Sequence, residues 1–355
     1  MAIRCAVASL LVALVSAADP PAPPTLPPLD GCRWIHAAPD RATAPRITVI
    51  ELWKPWSSES NAQLPRLSRI ARERAADGVA VLGITREASG YSADRIEESL
   101  RRLGGRVTFA VGIAPADLHA GLAALCARDR AGGGPAGDTL VADASGSIVA
   151  ACTSSDVEQV LLRMLAGTWT GPHMIDDIRR ESRAMDALVK VSAGDPALAA
   201  QQLDEMMATH QHRTRDFASR RIVILLRAGR ADEAASAMRA ATEEWTRLQD
   251  AAELTTLATL WMDSRINASG REPGMAADAA EAAALISGDL DPNPWLLLLR
   301  ARLAAGDPAG ARVAGERAML IGDDRMRDRV AQMLERIPAQ PAGGSDGRSQ
   351  QPAQP

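Results

Sequence analysis

The stretch "ELWKPWSSESNAQLP" (51–65) puts two hydroxyls, Ser57 and Ser60, three residues apart where an apolar run ends and a helix pattern begins. A helix N-terminus has unpaired N–H groups and a partial positive charge, so it suits a reactive group of lowered pKa. No cysteine or histidine stands there. A serine hydroxyl stays protonated at such a position. What it does well is cap, and Ser57 or Ser58 can accept a hydrogen bond from a first-turn N–H. Glu59 adds negative charge where the helix end is positive, which steadies the helix and would oppose a thiolate. A capped helix start accounts for every residue of "SSES".

The remaining chemistry-bearing residues are scattered. Beyond the N-terminal Cys5 there are Cys32, Cys126 and Cys152, with no C-x-x-C and no histidine or cysteine at metal-ligand spacing. Cys126 falls late in an expected helix and Cys152 at a strand end, positions that suit buried apolar cysteine, although a lone reactive thiol is the alternative. His210 and His212 in "THQHR" lie two apart, so on a helix they do not face together and read as solvated rather than metal-ligating. None of G-x-S-x-G, G-x-x-x-x-G-K-[ST] or H-E-x-x-H occurs. No cofactor and no metal is expected.

Composition narrows the partners. A formal charge of −4 over 355 residues argues against nucleic acid or anionic lipid, and Phe plus Tyr total only three, too few for base-stacking platforms. Arg4 followed by the apolar run 5–15 and the small residues of "VSAAD" reads as a signal peptide over 1–18. The expectation is an exported protein, periplasmic or extracytoplasmic, with a retained anchor as the alternative. No later stretch is long and apolar enough to span a membrane. An exported compartment permits disulfides, but three cysteines leave one over and the pairing stays open.

The elements that must position these residues fall into two regions. Residues 19–31 are a proline-rich linker expected to lack a core, and 337–355 a polar tail expected to be disordered. Over 32–168, "ITVIELW", "VAVLGIT" and "VTFAVGI" are strand-like runs separated by amphipathic helix patterns. "TLVAD" and "SIVAAC" flank "ASG" as a hairpin, and "SSDVEQVLLRMLAG" closes the region as a helix. The expected class is α/β, a mixed sheet with helices on both faces. Over 172–336 the strands stop and alanine-rich helices take over. Gly194 and Gly229 are 35 apart, and Gly306 lies 77 beyond Gly229, about two such periods; the fifth residue after each is Ala199, Ala234 and Ala311. Periods near 34 point to an all-α helical repeat, with a generic helical bundle as the alternative.

The run Trp53-Lys54-Pro55-Trp56, with Ser57 and Ser60 after it and Pro65 five residues beyond Ser60, resembles the thioredoxin-like domain of exported thiol–disulfide reductases that serve cytochrome maturation. That family carries W-x-x-W-C-x-x-C and a proline five residues later, so Ser57 and Ser60 stand at its two cysteine positions. The resemblance covers about 120 residues. It implies a thioredoxin-like fold, a buried acid at Glu51, and a cis-proline position that falls on Gly137, with Pro135 two residues earlier. The family chemistry needs one thiol to attack a disulfide and a second to resolve the mixed intermediate, and serine does neither. The repeats that follow resemble tetratricopeptide arrays.

The functional expectation is a redox-inactive, thioredoxin-like protein that binds a protein or peptide partner through its helical repeats, with no nucleic-acid partner. The alternative is a thiol–disulfide oxidoreductase using Cys126, Cys152 or Cys32. In the last helix pair, "NPWLLLLRARLAAG" places Leu296, Leu299 and Leu303 on one core-facing stripe and leaves Trp295 and Arg302 off it as candidate docking residues.

Overall fold

The computed structural model describes residues 23–37, 44–103, 107–128, 137–210, 213–266, 271–288 and 291–337. The signal segment, the tail from 338, Pro135 and His212 lie outside them.

The first region builds a mixed six-stranded sheet. Its elements run β1 (Arg33–His36), β2 (Ile47–Leu52), α1 (Ser58–Arg74), β3 (Val79–Thr85), α2 (Ala93–Leu103), β4 (Ala110–Ile113), α3 (Ala116–Arg128), β5 (Thr139–Asp143), β6 (Ile148–Cys152) and α4 (Val157–Leu165). The strand order is β1-β4-β3-β2-β5-β6. β2, β3 and β4 run parallel, as their β-α-β connections require, and β5 and β6 add antiparallel to the free edge of β2. Because side chains alternate across a strand, the apolar runs feed two cores. Val49, Val81 and Val141 meet Leu64, Leu67 and Ile70 of α1 and Val160 and Leu161 of α4 on one face. Ile50, Leu82 and Leu140 meet Leu122 and Cys126 of α3 on the other.

Two features depart from the sequence reading. β1 is an additional edge strand, antiparallel to β4. Only four residues long and flanked by charge, it carries no periodic signal. The proline-rich linker also takes part in the fold. Leu26 N–H donates to the Gly146 carbonyl at 2.8 Å, Ile148 N–H donates to the Pro24 carbonyl at 2.7 Å, and Leu26 and Leu29 pack on the α3 face. Prolines forbid a ladder strand but leave carbonyls free to accept such single bonds.

The second region is helical: α5 (Met174–Val191), α6 (Pro196–Thr209), α7 (Ala218–Arg227), α8 (Ala231–Arg247), α9 (Ala251–Met262), α10 (Pro273–Ser287), α11 (Pro292–Ala304), α12 (Pro308–Ile321) and α13 (Asp324–Glu335). The glycines of the 35-residue spacing sit in the turns α5–α6, α7–α8 and α11–α12. Gly229 and Gly306 have φ of 72° and 75°, a left-handed backbone that favours glycine. Just past each turn Ala199, Ala234 and Ala311 are fully buried, so a small side chain lets the paired helices approach. Asp195 and Asp307 cap the second helix of their pairs. Among the described residues no helix is long and apolar enough to cross a membrane.

The two regions are joined by buried charge as well as by chain. Arg69 of α1, 2% exposed, donates to Glu158 of α4 at 2.8 Å and to Asp250 at the start of α9 at 3.3 Å. Its guanidinium lies 5.2 Å from the Trp245 ring centre. Arg215 reaches back to Glu158 at 2.8 Å and Glu73 at 3.1 Å. Burial pushes the Glu158 carboxyl up, but hydrogen bonds and charge from Arg69, with Arg66 and Arg215 adding, prevail and bring its pKa down to about 2. Ile175 and Ile178 of α5 belong to the sheet's core.

Candidate functional site

The strand–helix junction at 53–61 is closed by its own polar side chains. Ser57 is the N-cap of α1, its Oγ accepting the Ser60 N–H at 3.2 Å. Ser60 is buried and its Oγ accepts the Lys54 N–H at 3.0 Å. Asn61 ties the rest: its Oδ1 accepts the Trp53 indole N–H at 2.8 Å, and its amide donates to the Pro55 carbonyl at 3.1 Å. Both serine oxygens are therefore engaged, that of Ser57 in capping the first turn and that of Ser60 in holding the loop "WKPW" through Lys54. The side chains of Ser58 and Glu59 lie outside the described residues. Trp56, 39% exposed, packs on Tyr91 with ring centres 5.4 Å apart, at the rim of this loop.

At the adjoining ends of β2 and β5 lie two polar pairs, one half-exposed between the residues that flank the strands and one buried within them. Lys54 and Asp138 form an ion pair at 2.6 Å. Within the strands, Glu51 is buried and its Oε2 accepts the Thr139 hydroxyl at 2.5 Å. Burial raises its pKa to about 7; the Thr139 hydrogen bond and Lys54 pull down, Asp138 pushes up. A cavity of ≈ 200 Å³ beside these pairs is lined by Lys54, Asp138, His119, Cys126 and Gly137. Burial, with Arg86 and Lys54 adding, lowers the pKa of His119 and favours its neutral form.

Gly137 is shaped by the hairpin rather than by a ligand. A Cβ there would lie 1.6 Å from the Cys152 carbonyl oxygen, so no side chain fits between the start of β5 and the end of β6. Pro135 lies outside the described residues.

The cysteines do not gather. Cys32, Cys126 and Cys152 are all free and buried. Cys126 packs on the α3 face of the sheet, Cys152 on the opposite face. Burial, with Asp138 and Glu51 adding, pushes the Cys126 thiol up to about 12, and burial raises Cys32 and Cys152 as well. All three are thiols rather than thiolates at neutral pH, which makes them poor nucleophiles.

No family model, curated protein or solved structure matches this chain. The site is therefore described by its own geometry alone.

The candidate docking residues at the last helix pair are held by their neighbours. The Trp295 indole N–H donates to the Gly288 carbonyl at 3.0 Å and its ring packs on the array core. Arg302 pairs with Glu281 at 2.8 Å. His210 approaches Glu181 at 3.8 Å. Sequence reasoning passed over Asn61, the Lys54–Asp138 pair, Thr139 and the Arg69 network. Only the last had a signal: Arg66, Arg69 and Glu73 recur at helical spacing along the α1 pattern, next to the apolar Leu67 and Ile70.

Proposed function

We propose that the chain is an exported, redox-inactive thioredoxin-like protein that binds a protein or peptide partner through tetratricopeptide-like repeats. The observation that carries this reading is the fate of the two serines. At the strand–helix junction where the resemblance expects a dithiol, Ser57 caps the helix and Ser60 holds the Lys54 amide. The parallel strands followed by an antiparallel hairpin support the thioredoxin-like assignment, and the helix pairs with glycine turns support the repeats. Export rests on the Arg4 and 5–15 segment alone.

Reduction of insulin disulfides by the full chain tests the reading, with a no-protein blank as reference. The expected rate equals the blank. Turnover that disappears when Cys32, Cys126 and Cys152 are replaced by serine overturns it. The double variant Ser57→Cys/Ser60→Cys should form a disulfide under mild oxidant, since N-cap and N3 positions lie one turn apart; a pair that stays reduced counts against the alignment with the family.

A further inference from the structure

A cavity of ≈ 530 Å³ opens where α1 meets the helical array, apart from the Ser57–Ser60 junction. Arg72 of α1 forms one wall, Gln249 the α8–α9 turn, Ser287 the end of α10, and Asp291 and Asn293 the start of α11. Its size is within the range of small-molecule sites, and such sites collect where structural units adjoin. The geometry points to a binding site for a small zwitterion of the amino-acid or dipeptide type, its carboxylate on Arg72 and its ammonium on Asp291. This assignment does not depend on the proposed function.

Charge is the first argument. Neighbouring arginines on the same junction, Arg66, Arg69 and Arg215, all have carboxylate partners. Arg72 and Asp291 line one cavity with opposite charges, and neither has an ion-pair partner among the described residues. Arg72 Nη2 donates to the Leu248 carbonyl at 3.1 Å, which leaves its other N–H groups for a ligand. Asp291 Oδ1 accepts the Asn293 backbone N–H at 3.0 Å and its side-chain amide at 2.8 Å, leaving Oδ2. A ligand with one charge would leave the other wall unpaired; a zwitterion satisfies both.

Ser287 is the second argument. It is 2% exposed and lines the cavity, adding a neutral hydroxyl-bearing residue to the two charged ones. Gln249 is the third. It adopts φ 56°, a left-handed backbone rare outside glycine, and its N–H is held by the Thr246 carbonyl at 3.0 Å. That conformation closes the C-terminus of α8, the Asp250 N–H donating to the Trp245 carbonyl at 3.0 Å, and it places Gln249 on the cavity wall. Pro65, Ile286 and Pro294 offer apolar contact for a ligand side chain.

Isothermal titration of the full chain with leucyl-alanine, its N-acetyl form and its C-terminal amide tests the assignment. The free dipeptide should bind, and blocking either end should weaken binding by about tenfold or more, the loss of one charge-assisted pair. Arg72→Gln and Asp291→Asn should each do the same; asparagine caps a helix as well as aspartate, so the second variant keeps the fold. No heat at about 1 mM dipeptide overturns the proposal. So does equal binding of the blocked peptides, sensitivity to one end only, or full binding by Asp291→Asn.

Discussion

Replacing Ser60 by alanine removes the buried oxygen that receives the Lys54 amide in a part-buried loop. An unpaired buried N–H costs about 1–3 kcal/mol, so Ser60→Ala should lower the urea unfolding midpoint with no change in any redox readout. Gly137→Ala should cost more, about 3 kcal/mol or beyond, because a methyl group at 1.6 Å from the Cys152 carbonyl forces the hairpin apart. Glu51 makes a pH prediction. Its folded pKa of about 7 stands above the ordinary 4.5, so the folded state holds a proton that the unfolded chain has released between those values. Its contribution is fully present below pH 4.5 and is lost as pH rises to 7. Glu51→Gln should therefore stabilise the protein at pH 8 by a few kcal/mol at most and flatten that limb of the stability curve.

Helix α1 carries both the capped junction and the charge that anchors the array. Arg69→Met should cost about 3 kcal/mol, since Asp250 would remain buried without its cation while Glu158 would keep only Arg215 and Arg66. The acid limb offers a second readout of the same variant. Glu158, with its pKa brought to about 2, contributes stability that is present above pH 4.5 and lost as pH falls toward 2. Arg69→Met should blunt that loss, measured by denaturant midpoints between pH 5 and 3. In α11, Trp295 packs on the core with its indole N–H held, so Trp295→Ala should cost roughly 3 kcal/mol, near the low end for a buried aromatic. A variant with unchanged melting temperature would return Trp295 to the docking surface.

Across the whole molecule, the interface charges bind two regions of different architecture into one unit. A boundary near 167–172 follows the end of α4, yet Ile175 and Ile178 lie in the sheet's core and Asp250 faces Arg69. The intact chain should unfold in a single calorimetric transition. A fragment ending at 168 should unfold at lower urea than the intact chain, because it loses those two isoleucines and leaves Glu158 exposed to solvent on one side. Two separate transitions in the intact chain would show that the buried charges do not couple the regions.

The local patterns in this sequence determined a good deal. Continuous apolar runs rich in valine and isoleucine specified β2 and β3, and two such runs about "ASG" the β5–β6 hairpin; the glycine–alanine offsets specified the turns and close packing of the helix pairs; "SSES" specified a capped helix. Each depends on neighbours within a turn or a strand, so the chain alone suffices to read it. The tertiary structure decided the rest. Glu51 became buried only because Thr139 of β5, 88 residues away, lies opposite it in register. Arg69 meets Asp250 across 181 residues, and the cavity of Arg72 and Asp291 exists only where α1 crosses the array. Buried charge gains its meaning from the partner that neutralises it or the space that leaves it open, and neither is encoded within a local window.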